Sequence, residues 1–553
     1  MFLIWGVLLM IFSLLFFIYG VWFLMSFKIN VFEYYAVVLG NFEIKFYFLF
    51  DWISLLFASV VMFISSMVII YSHDYMFFEK TKNYFCYMVL LFVGSMVLMI
   101  VSPNLLMILL GWDGLGLVSY CLVIYYQNYK SDSAGMITVM MNRVGDVFIL
   151  LSLILVLNFG SYDFFVFKGM FYVTGFMLII AGMTKSAQIP FSAWLPAAMA
   201  APTPVSSLVH SSTLVTAGVY LLIRLNLLFS VSHFCKFLLY LALLTMVMSG
   251  IGAMLETDLK KIIALSTLSQ LGLMMVILSL GKVDLAFFHL LTHALFKAML
   301  FLCAGFMIHS SLGHQDIRFM GIFFLTSPMI SGAFCLANMS LFGVPFLSGF
   351  YSKDMILEYI YFMESNWVVI YLMILATVFT VMYSLRVMFY SMWKSGVKMV
   401  DFSYHWSNWM GIPIFIMGVL VLVFGSMLSW ILVFEDGSYI ISFPVKLINV
   451  LIVFLGCWGV SVLYLGKIGL MNLKKLNFFL GSMWFLSMVS GGATVKTLKM
   501  GFFLYKEDNG WLEEIGPQGL YKLNSFLSII VQWVQMISVK NLLFFFLVCM
   551  LLL

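Results

Sequence analysis

Long apolar runs follow one another along almost the whole chain, and short polar connections separate them. A helix of about 20 mainly apolar residues crosses the hydrocarbon core of a bilayer. The runs do not alternate between apolar and polar positions as barrel strands do, so helices are the predicted spanning elements. The pattern therefore predicts an all-α integral membrane protein. It places about fifteen spans near residues 3–25, 50–71, 85–101, 104–126, 138–158, 172–192, 206–226, 238–255, 262–280, 286–308, 325–350, 366–390, 411–432, 447–465 and 541–553.

Composition agrees with this pattern and excludes several classes of protein. Hydrophobic residues make up 64% of the chain and charged residues 9%, whereas soluble proteins carry about 25% charge. The net charge of +5 is spread thinly, so nucleic-acid binding is not expected. The seven cysteines form no Cys-x-x-Cys motif, which argues against an iron–sulfur centre on this chain. The first run, Phe2 to Met25, lacks the basic start and cleavage site of a signal peptide and predicts a first helix.

The C-terminal part has a different character. Charge density rises from Met471 to Gly519, and polar residues then recur every three or four positions between Lys522 and Gln535. Such spacing predicts an amphipathic helix with a narrow polar stripe, which would lie along a membrane surface or against partner subunits. The last run, Asn541 to Leu553, is short for a crossing and is predicted to anchor the end of the chain.

Ionisable residues inside predicted spans are the strongest functional signal, because burying them in a bilayer is costly. His289, His293 and Lys297 are spaced four residues apart and form one stripe on a helix. Both residue types can exchange protons near neutral pH when buried, so the stripe predicts a proton-transfer path. Two alternatives stay open, namely a purely structural role and a two-histidine metal site that lacks an evident third ligand. A zinc protease is excluded because its His-Glu-x-x-His motif requires a glutamate directly after the first histidine, and Leu290 stands there.

Two spans are predicted to be broken beside a lysine. Lys185 lies five residues before Pro190, and proline removes a backbone hydrogen bond and disfavours helix at the residue before it. In the second half, Gly343 and Pro345 interrupt a long apolar run that Lys353 follows. Broken membrane helices often line ion sites, and their presence in both halves suggests an internal duplication.

Two carboxylates and a lysine pair complete the candidate set. Asp113 lies in mid-span and is expected to modulate Lys185 if their helices pack together. Asp146 lies near a span start, where a local pair with Arg143 and a functional role are equally supported. Adjacent lysines at 260 and 261 begin a span, and on physical grounds such residues usually reach towards water. The glycines around Asp113 follow no strand and do not fit a dinucleotide-binding motif.

These motifs, in this order, resemble the chain 5 family of respiratory complex I, the mitochondrial NADH:ubiquinone oxidoreductase, whose members are antiporter-like membrane subunits. The resemblance is strong over roughly residues 50–360 and weaker beyond. The matching stretches are LGWDGLGLVSY at 110–120, NRVGD at 142–146, KSAQIP at 185–190, WLP at 194–196, PTPVS at 202–206, HSST at 210–213, DLKKIIALSTLSQLG at 258–272, HLLTHALFK at 289–297, GFYSKD at 349–354 and GWLEEIG at 510–516.

The resemblance implies a fold with two inverted five-helix repeats, each with a broken helix, and a long C-terminal lateral amphipathic helix. It divides the chain into five expected segments. They are N-terminal helices (1–103), a first antiporter-like half (104–255), a second antiporter-like half (256–432), an extra transmembrane helix (433–470), and a C-terminal extension with the lateral helix and terminal anchor (471–553).

The resemblance also implies roles for individual residues. Asp113 stands where the family usually has a glutamate paired with the broken-helix lysine, here Lys185. His210 is the next polar station, and Lys261, preferred over Lys260, is the lysine that links the two half-channels. The remaining implied proton-transfer residues are Asp146, His289, His293, Lys297, Lys353 and Asp354, of which the last two match the exit side.

The predicted function is therefore that of a core membrane subunit of a proton-pumping NADH:ubiquinone reductase in the mitochondrial inner membrane. NADH, flavin, iron–sulfur clusters and ubiquinone are expected on other subunits, with at most structural phospholipids on this chain. The expected partners are other membrane-arm subunits, especially neighbouring antiporter-like ones contacted through the lateral helix. Two alternatives stay open: the large subunit of a sodium/proton antiporter, and a scaffold that ties the membrane arm together without transport.

Overall fold

A computed structural model gives the structure of the chain. It describes residues 1–39, 42–157, 172–226, 232–321, 323–363, 366–393, 408–432, 443–465, 474–536 and 538–552. The chain divides into two compact units, Met1–Ser487 and Met488–Leu553, which are described separately.

The chain begins with helix α1 (Phe2–Ser26), followed by an antiparallel hairpin of strands β1 (Asn30–Leu39) and β2 (Phe42–Phe50). The hairpin was not predicted, and it is the one departure from an all-α fold among the described residues. Helix α2 (Trp52–Tyr75) follows directly. The Asp51 side chain caps it by accepting a hydrogen bond from the Ser54 N–H.

The next eight helices carry the first group of predicted site residues. They are α3 (Lys82–Val101), α4 (Leu105–Val123), α5 (Tyr129–Leu157), α6 (Tyr172–Lys185), α7 (Trp194–Ala197), α8 (Thr203–Val205), α9 (Leu214–Arg224) and α10 (Ser232–Leu255). A 3₁₀ turn at Ala198–Ala200 follows α7, and a π-helical segment at Ser206–Thr213 joins α8 to α9, so that 203–224 forms one span.

The second group of site residues lies on the following helices. They are α11 (Leu259–Ser279), α12 (Val283–Ser310), α13 (Phe323–Thr326), α14 (Pro328–Phe342), α15 (Ser348–Met363), α16 (Trp367–Met388), α17 (Asn408–Ile431), α18 (Phe443–Leu465) and α19 (Lys474–Gly481). A π-helical segment at Phe389–Trp393 extends α16. An isolated bridge between Asp258 and Asp316 joins the start of α11 to the chain just after α12.

The second unit is helical throughout its described residues. It comprises α20 (Leu486–Glu507), whose first two residues precede the unit, a π-helical segment (Asp508–Leu512), α21 (Glu513–Ile515), α22 (Pro517–Met536) and α23 (Val539–Leu552). Helix α22 covers the predicted amphipathic stretch and α23 the predicted terminal anchor.

The predicted fold class is confirmed, and all fifteen predicted spans coincide with helical regions. The number of full-length spans in the part of the chain that the structure describes is lower than the approximate predicted count. Among the described residues twelve helices are long and apolar enough to cross a membrane, or up to thirteen if one bent pair counts as a span. The difference arises because helices break or end early, as in the 14-residue α6, the 15-residue α14 and the 14-residue α23.

Several of the predicted site residues lie on the most deeply buried spans. The spans at 203–224, 259–279 and 283–310 lie entirely inside the protein, whereas α1 is mostly exposed to its surroundings. The predicted histidines and four of the predicted lysines lie on these inner helices or at breaks next to them.

Candidate functional site

The predicted break beside Lys185 is present. Helix α6 ends at Lys185, and two residues later Ala187 adopts a left-handed backbone conformation with φ 54°. The carbonyl oxygen of Thr184, in the last turn of α6, accepts a hydrogen bond of 2.9 Å from the Trp194 indole N–H and one of 3.4 Å from the Ala187 N–H. The break is thus stabilised from within the protein and leaves the lysine at the end of an interrupted helix.

The Lys185 side chain is fully buried and turns towards α4. Its Nζ donates a hydrogen bond of 3.2 Å to the Trp112 carbonyl oxygen and lies 4.8 Å from the centre of the Trp112 ring. A Cβ at Gly116 would lie 3.7 Å from Nζ, so Gly116 borders the ammonium group at ordinary contact distance. The sequence did not single out Trp112, because its contribution is a backbone oxygen and an aromatic face.

The two predicted carboxylates are near Lys185 but bind Arg143. The Arg143 guanidinium lies 3.0 Å from Asp146 and 3.7 Å from Asp113. The local Asp146–Arg143 pair weighed from the sequence is therefore present. Asp113 and Lys185 form no direct ion pair, since no carboxylate oxygen of Asp113 lies within 4.0 Å of the Lys185 Nζ. Both carboxylates nevertheless interact electrostatically with the lysine. The Asp113 carboxylate instead lies nearest to the arginine among the charged partners that form ion pairs with it.

His210 lies in the π-helical segment between α8 and α9 and is buried. Neither ring nitrogen has a hydrogen-bond partner among the described residues. Its ring packs edge-on against Trp194 at 6.2 Å, the same residue that supports the break after Lys185. Trp194 therefore contacts both His210 and the backbone beside Lys185, which are two of the predicted proton-transfer residues of the first half.

The two adjacent lysines at the start of α11 have opposite environments. Lys260 is 5% exposed, and its Nζ donates a hydrogen bond of 3.1 Å to the Ala201 carbonyl oxygen before α8. The Lys261 side chain is 44% exposed and pairs with Asp258 at 2.8 Å. The role of Lys261 as the linking residue stays a prediction, and Lys260 is the one of the two that reaches inward.

The predicted stripe on α12 faces the interior of the protein. His289 is hydrogen-bonded through Nδ1 to the Ser352 hydroxyl at 2.9 Å and through Nε2 to the Gln270 side-chain oxygen at 3.3 Å. The rings of His289 and His293 lie 6.1 Å apart. Neither nitrogen of His293 has a partner among the described residues. The stripe is thus a row of neighbouring buried groups.

Two further lysines extend this row. Lys297 Nζ donates a hydrogen bond of 2.5 Å to the Ser266 hydroxyl on α11, and Lys353 Nζ donates one of 3.0 Å to the Thr380 hydroxyl on α16. Both side chains are buried. Lys353 also interacts electrostatically with the adjacent, partly buried Asp354. Hydroxyl groups, which the sequence reasoning did not select, therefore hold both ammonium groups.

The second predicted break lies between α14 and α15. Gly343 ends α14 in a left-handed conformation with φ +83°, and its N–H bonds back to the Met339 and Ser340 carbonyl oxygens. Lys353 Nζ lies 3.5 Å from the Leu341 carbonyl oxygen in the last turn of α14. In both halves, then, a buried lysine accompanies an interrupted helix.

Helical spacing is the sequence signal that could have identified some of the polar residues that hydrogen-bond to the histidines and lysines. Ser266 and Gln270 are four residues apart on α11, so they share the face that contacts α12. Ser352 directly precedes Lys353, and Thr380 lies on a neighbouring helix with no motif around it. No group of three or more His, Cys, Asp or Glu side chains able to hold a metal ion occurs in the described part of the chain.

Known families match the chain over most of its length. A family described as NADH:quinone oxidoreductase/Mrp antiporter, TM, matches residues 102–380. Two others, described as chain 5 N-terminus of NADH-ubiquinone oxidoreductase (complex I) and NADH dehydrogenase subunit 5 C-terminus, match residues 37–86 and 383–553. The NADH-ubiquinone oxidoreductase chain 5 of Aedes aegypti is 48% identical over 539 residues, 95% of this chain and 93% of that protein. The chain belongs to the NADH-ubiquinone oxidoreductase chain 5 family.

Other members of the chain 5 family agree. That of Locusta migratoria is 48% identical over 548 residues, covering 96% of this chain and 95% of its own length. That of Lumbricus terrestris is 44% identical over 492 residues, covering 86% and 84%. The predicted resemblance and a multi-pass membrane protein of this family are therefore confirmed.

Solved structures show the same fold at lower identity. A chain of the Mrp complex from Dietzia sp. DQ12-45-1b superposes with a TM-score of 0.76 and 23% identity, covering 96% of this chain and 60% of that chain. A chain of the membrane-bound sulfane sulfur reductase, an archaeal respiratory membrane complex, gives 0.66 and 22%, covering 82% and 93%. The antiporter-like fold is thus common to respiratory and antiporter assemblies.

Proposed function

We propose that this chain is a membrane subunit of a proton-pumping NADH:ubiquinone oxidoreductase of the mitochondrial inner membrane, and that protons cross the membrane along its buried titratable residues. The observation that carries the proposal is the row of buried side chains on interrupted and inner helices. The row consists of Lys185, His210, Lys260, His289, His293, Lys297 and Lys353. Groups so costly to bury in a membrane are expected to serve transport.

The hydrogen-bond partners of the four lysines support a change of charge during function. Each ammonium group donates to a neutral oxygen, either a backbone carbonyl or a hydroxyl. In the described part of the chain none of the four lies within 4.0 Å of a carboxylate. A carboxylate partner would hold the lysine charged, whereas a neutral oxygen accepts a hydrogen bond from the ammonium or the amine. These lysines are therefore suited to gain and lose protons.

The spacing of charges supports electrostatic coupling along the row. Lys185 interacts with Asp113 and Asp146, and Arg143 competes for the same carboxylates. In the second half, Lys297 interacts with Lys353, and both repel a charge on His289. A change of charge at one of these positions therefore alters the protonation of its neighbours, which couples the charges within each half.

The remaining assignments follow from the family. Quinone reduction elsewhere in the complex would change the charge at one end of the row, and NADH, flavin, iron–sulfur clusters and ubiquinone would be bound by other subunits. Helix α22, with its apolar residues exposed, would lie against neighbouring antiporter-like subunits. Asp354, beside Lys353, would serve the exit side of the path.

The proposal is tested by replacing single buried lysines. The complex carrying Lys185→Met or Lys297→Met is reconstituted in vesicles, and protons moved per NADH oxidised are measured. Both variants are expected to reduce pumping, while Lys446→Met, which replaces an exposed lysine on α18, leaves it unchanged. A structural scaffold would instead keep full pumping in both buried-lysine variants. Pumping that requires sodium would favour a sodium/proton antiporter.

A further inference from the structure

A second group of buried polar side chains lies beside α12, outside the row described above. The hydroxyl groups of Tyr71 on α2 and Thr203 on α8 are fully buried, and neither has a hydrogen-bond partner among the described residues. Buried hydroxyls are nearly always hydrogen-bonded, to ordered water where no protein group is available. Two such groups close together therefore indicate a polar site that the fold maintains at a cost.

Gly305 on α12 is the residue that brings the two hydroxyls together. A Cβ at this position would lie 2.7 Å from the Tyr71 hydroxyl oxygen and 2.7 Å from the Thr203 hydroxyl oxygen. Both distances are too short for a real side chain, so any larger residue would displace the hydroxyls. Glycine in a helix interior costs about 0.5–1 kcal/mol relative to alanine, and here the approach of both oxygens requires it.

Gly305 lies on α12 eight residues after Lys297 and four residues before His309. At about 100° per residue it lies about 80° around the helix from Lys297 and about 40° from His309, so it shares the His309 side of α12. His309, near the end of the helix, is exposed. The ring of Tyr75 lies between this end and the buried site, 5.7 Å from His309 and stacked on Tyr71 at 5.8 Å. Polar groups thus extend from the surface to the hydroxyl pair.

On its inner side the pair adjoins Lys260. The Ala201 carbonyl oxygen that accepts the Lys260 hydrogen bond lies two residues before Thr203 in the same turn. The Tyr75 hydroxyl also approaches Thr203, although the Thr203 hydroxyl meets no partner at hydrogen-bond geometry. The segment that carries Thr203 therefore contacts the buried lysine through Ala201 and the Tyr71 hydroxyl across Gly305.

We propose that Tyr71 and Thr203 form a branch that passes protons between the surface at His309 and the buried Lys260. Each hydroxyl oxygen accepts one proton from the outer side and releases its own proton inward, so that neither residue changes its charge. The neutral amine of Lys260 takes the proton and becomes an ammonium group. The branch rests on the proposed proton-pumping function and adds an access route to it.

The branch is tested by removing the hydroxyls without changing the packing. Tyr71→Phe keeps the ring stacked on Tyr75, and Thr203→Val keeps the branched shape. We expect the double variant in the reconstituted complex to pump protons at least about tenfold more slowly. The assembly and thermal stability of the double variant should be unchanged or slightly raised, because a buried hydroxyl without a protein partner contributes no stabilising hydrogen bond to the fold. Ser59→Ala on α2, whose hydroxyl bonds only within its own helix, is the matched control.

A second variant closes the space between the hydroxyls. Gly305→Ala should reduce pumping as the double variant does. Gly135→Ala, where a Cβ would approach the apolar Ile124 side chain at 2.7 Å, should assemble and pump normally after that side chain shifts. Full pumping by the Tyr71→Phe, Thr203→Val complex while Lys297→Met stops pumping would overturn the branch and leave the proposed function intact. Full pumping in the double variant, in Gly305→Ala and in Lys297→Met would overturn the proposed function itself.

Discussion

Arg224 donates two hydrogen bonds to the carboxylate of Asp51, at 2.5 and 2.8 Å, and ties the end of α9 to the start of α2. Its Nε also donates to the Tyr220 hydroxyl at 2.8 Å, and that hydroxyl donates to the Ile100 carbonyl oxygen at 2.7 Å. Asp51 in addition caps α2 through Ser54. One paired charge therefore joins α2, α3 and α9.

Replacing Asp51 should destabilise the protein through the arginine it leaves behind. Asparagine keeps the helix cap, so Asp51→Asn removes the ion pair alone. Breaking a buried pair costs about 3–5 kcal/mol, and the lower end is expected because the Arg224 side chain is 21% exposed. The measurement is the thermal unfolding midpoint of the purified complex.

The double replacement Asp51→Leu with Arg224→Met is the matched control. It removes both charges, and apolar replacements of buried pairs are often neutral or stabilising. The double variant should therefore lose less stability than Asp51→Asn despite losing the helix cap. An Asp51→Asn complex as stable as the wild type would show that the pair has no structural role.

Acid should weaken the same contact. Burial by itself would raise the pKa of Asp51, but hydrogen bonds from Arg224 and Ser54 and the guanidinium charge hold it below its usual value. A carboxyl group with a depressed folded-state pKa contributes stability above its unfolded pKa, about 3.9, and loses it as pH falls through the folded pKa. The wild type should lose stability below about pH 4 more steeply than Asp51→Asn. Thermal unfolding midpoints at a series of pH values give the comparison.

Comparing Lys260 with Lys261 tests which of the two takes part in proton transfer, because these neighbours in sequence lie in opposite environments. Lys260→Met should slow proton translocation by about a hundredfold or more, as loss of a positioned proton-transfer group does. Lys261→Met breaks only an exposed pair with Asp258, worth about 0–1 kcal/mol, and should pump normally. Proton movement per NADH oxidised is measured in vesicles. The reverse order of effects would restore Lys261 as the linking residue.

The break between α14 and α15 depends on a close approach at Gly349. A Cβ there would overlap the Ser340 carbonyl oxygen, which belongs to the backbone and cannot turn away. Gly349→Ala should therefore destabilise the complex by about 1–3 kcal/mol or more. The yield and unfolding temperature of the assembled complex report the effect.

Gly332→Ala is the control on the same interrupted helix. A Cβ at this exposed position meets nothing within 4 Å, so the variant should be neutral or about 0.5–1 kcal/mol more stable. Equal behaviour of the two variants would contradict the proposed importance of the close approach.

Much of the fold was predictable because apolar length and helix-breaking residues carry strong local signals. Every predicted span contains a helix, and both breaks fall at the predicted proline- and glycine-containing stretches. The hairpin of Asn30–Leu39 and Phe42–Phe50 was missed because its strands are mostly apolar and adjoin apolar spans. The five predicted segments stay a prediction, since the observed division at Ser487 follows contacts within the chain and not repeats.

The site was predictable as a set of residues but not as a network. Which of two adjacent lysines faces inward depends on the rotation of α11, and a helix turns by about 100° per residue. The partners Ser266, Ser352 and Thr380 are common residue types that acquire meaning only when helices pack. Arg143 was recognised as a partner of Asp146, but its approach to Asp113 requires the fold.

The short bridge between Asp258 and Asp316 has a bioenergetic consequence. It joins the beginning of α11 to the chain just after α12, so that both lie at the same end of this helix pair. In the proposed path, protons that reach Lys260 from this end therefore come from the compartment that the loop with Arg318 faces. The acidity of that compartment would then act on the lysine together with the charges along the row.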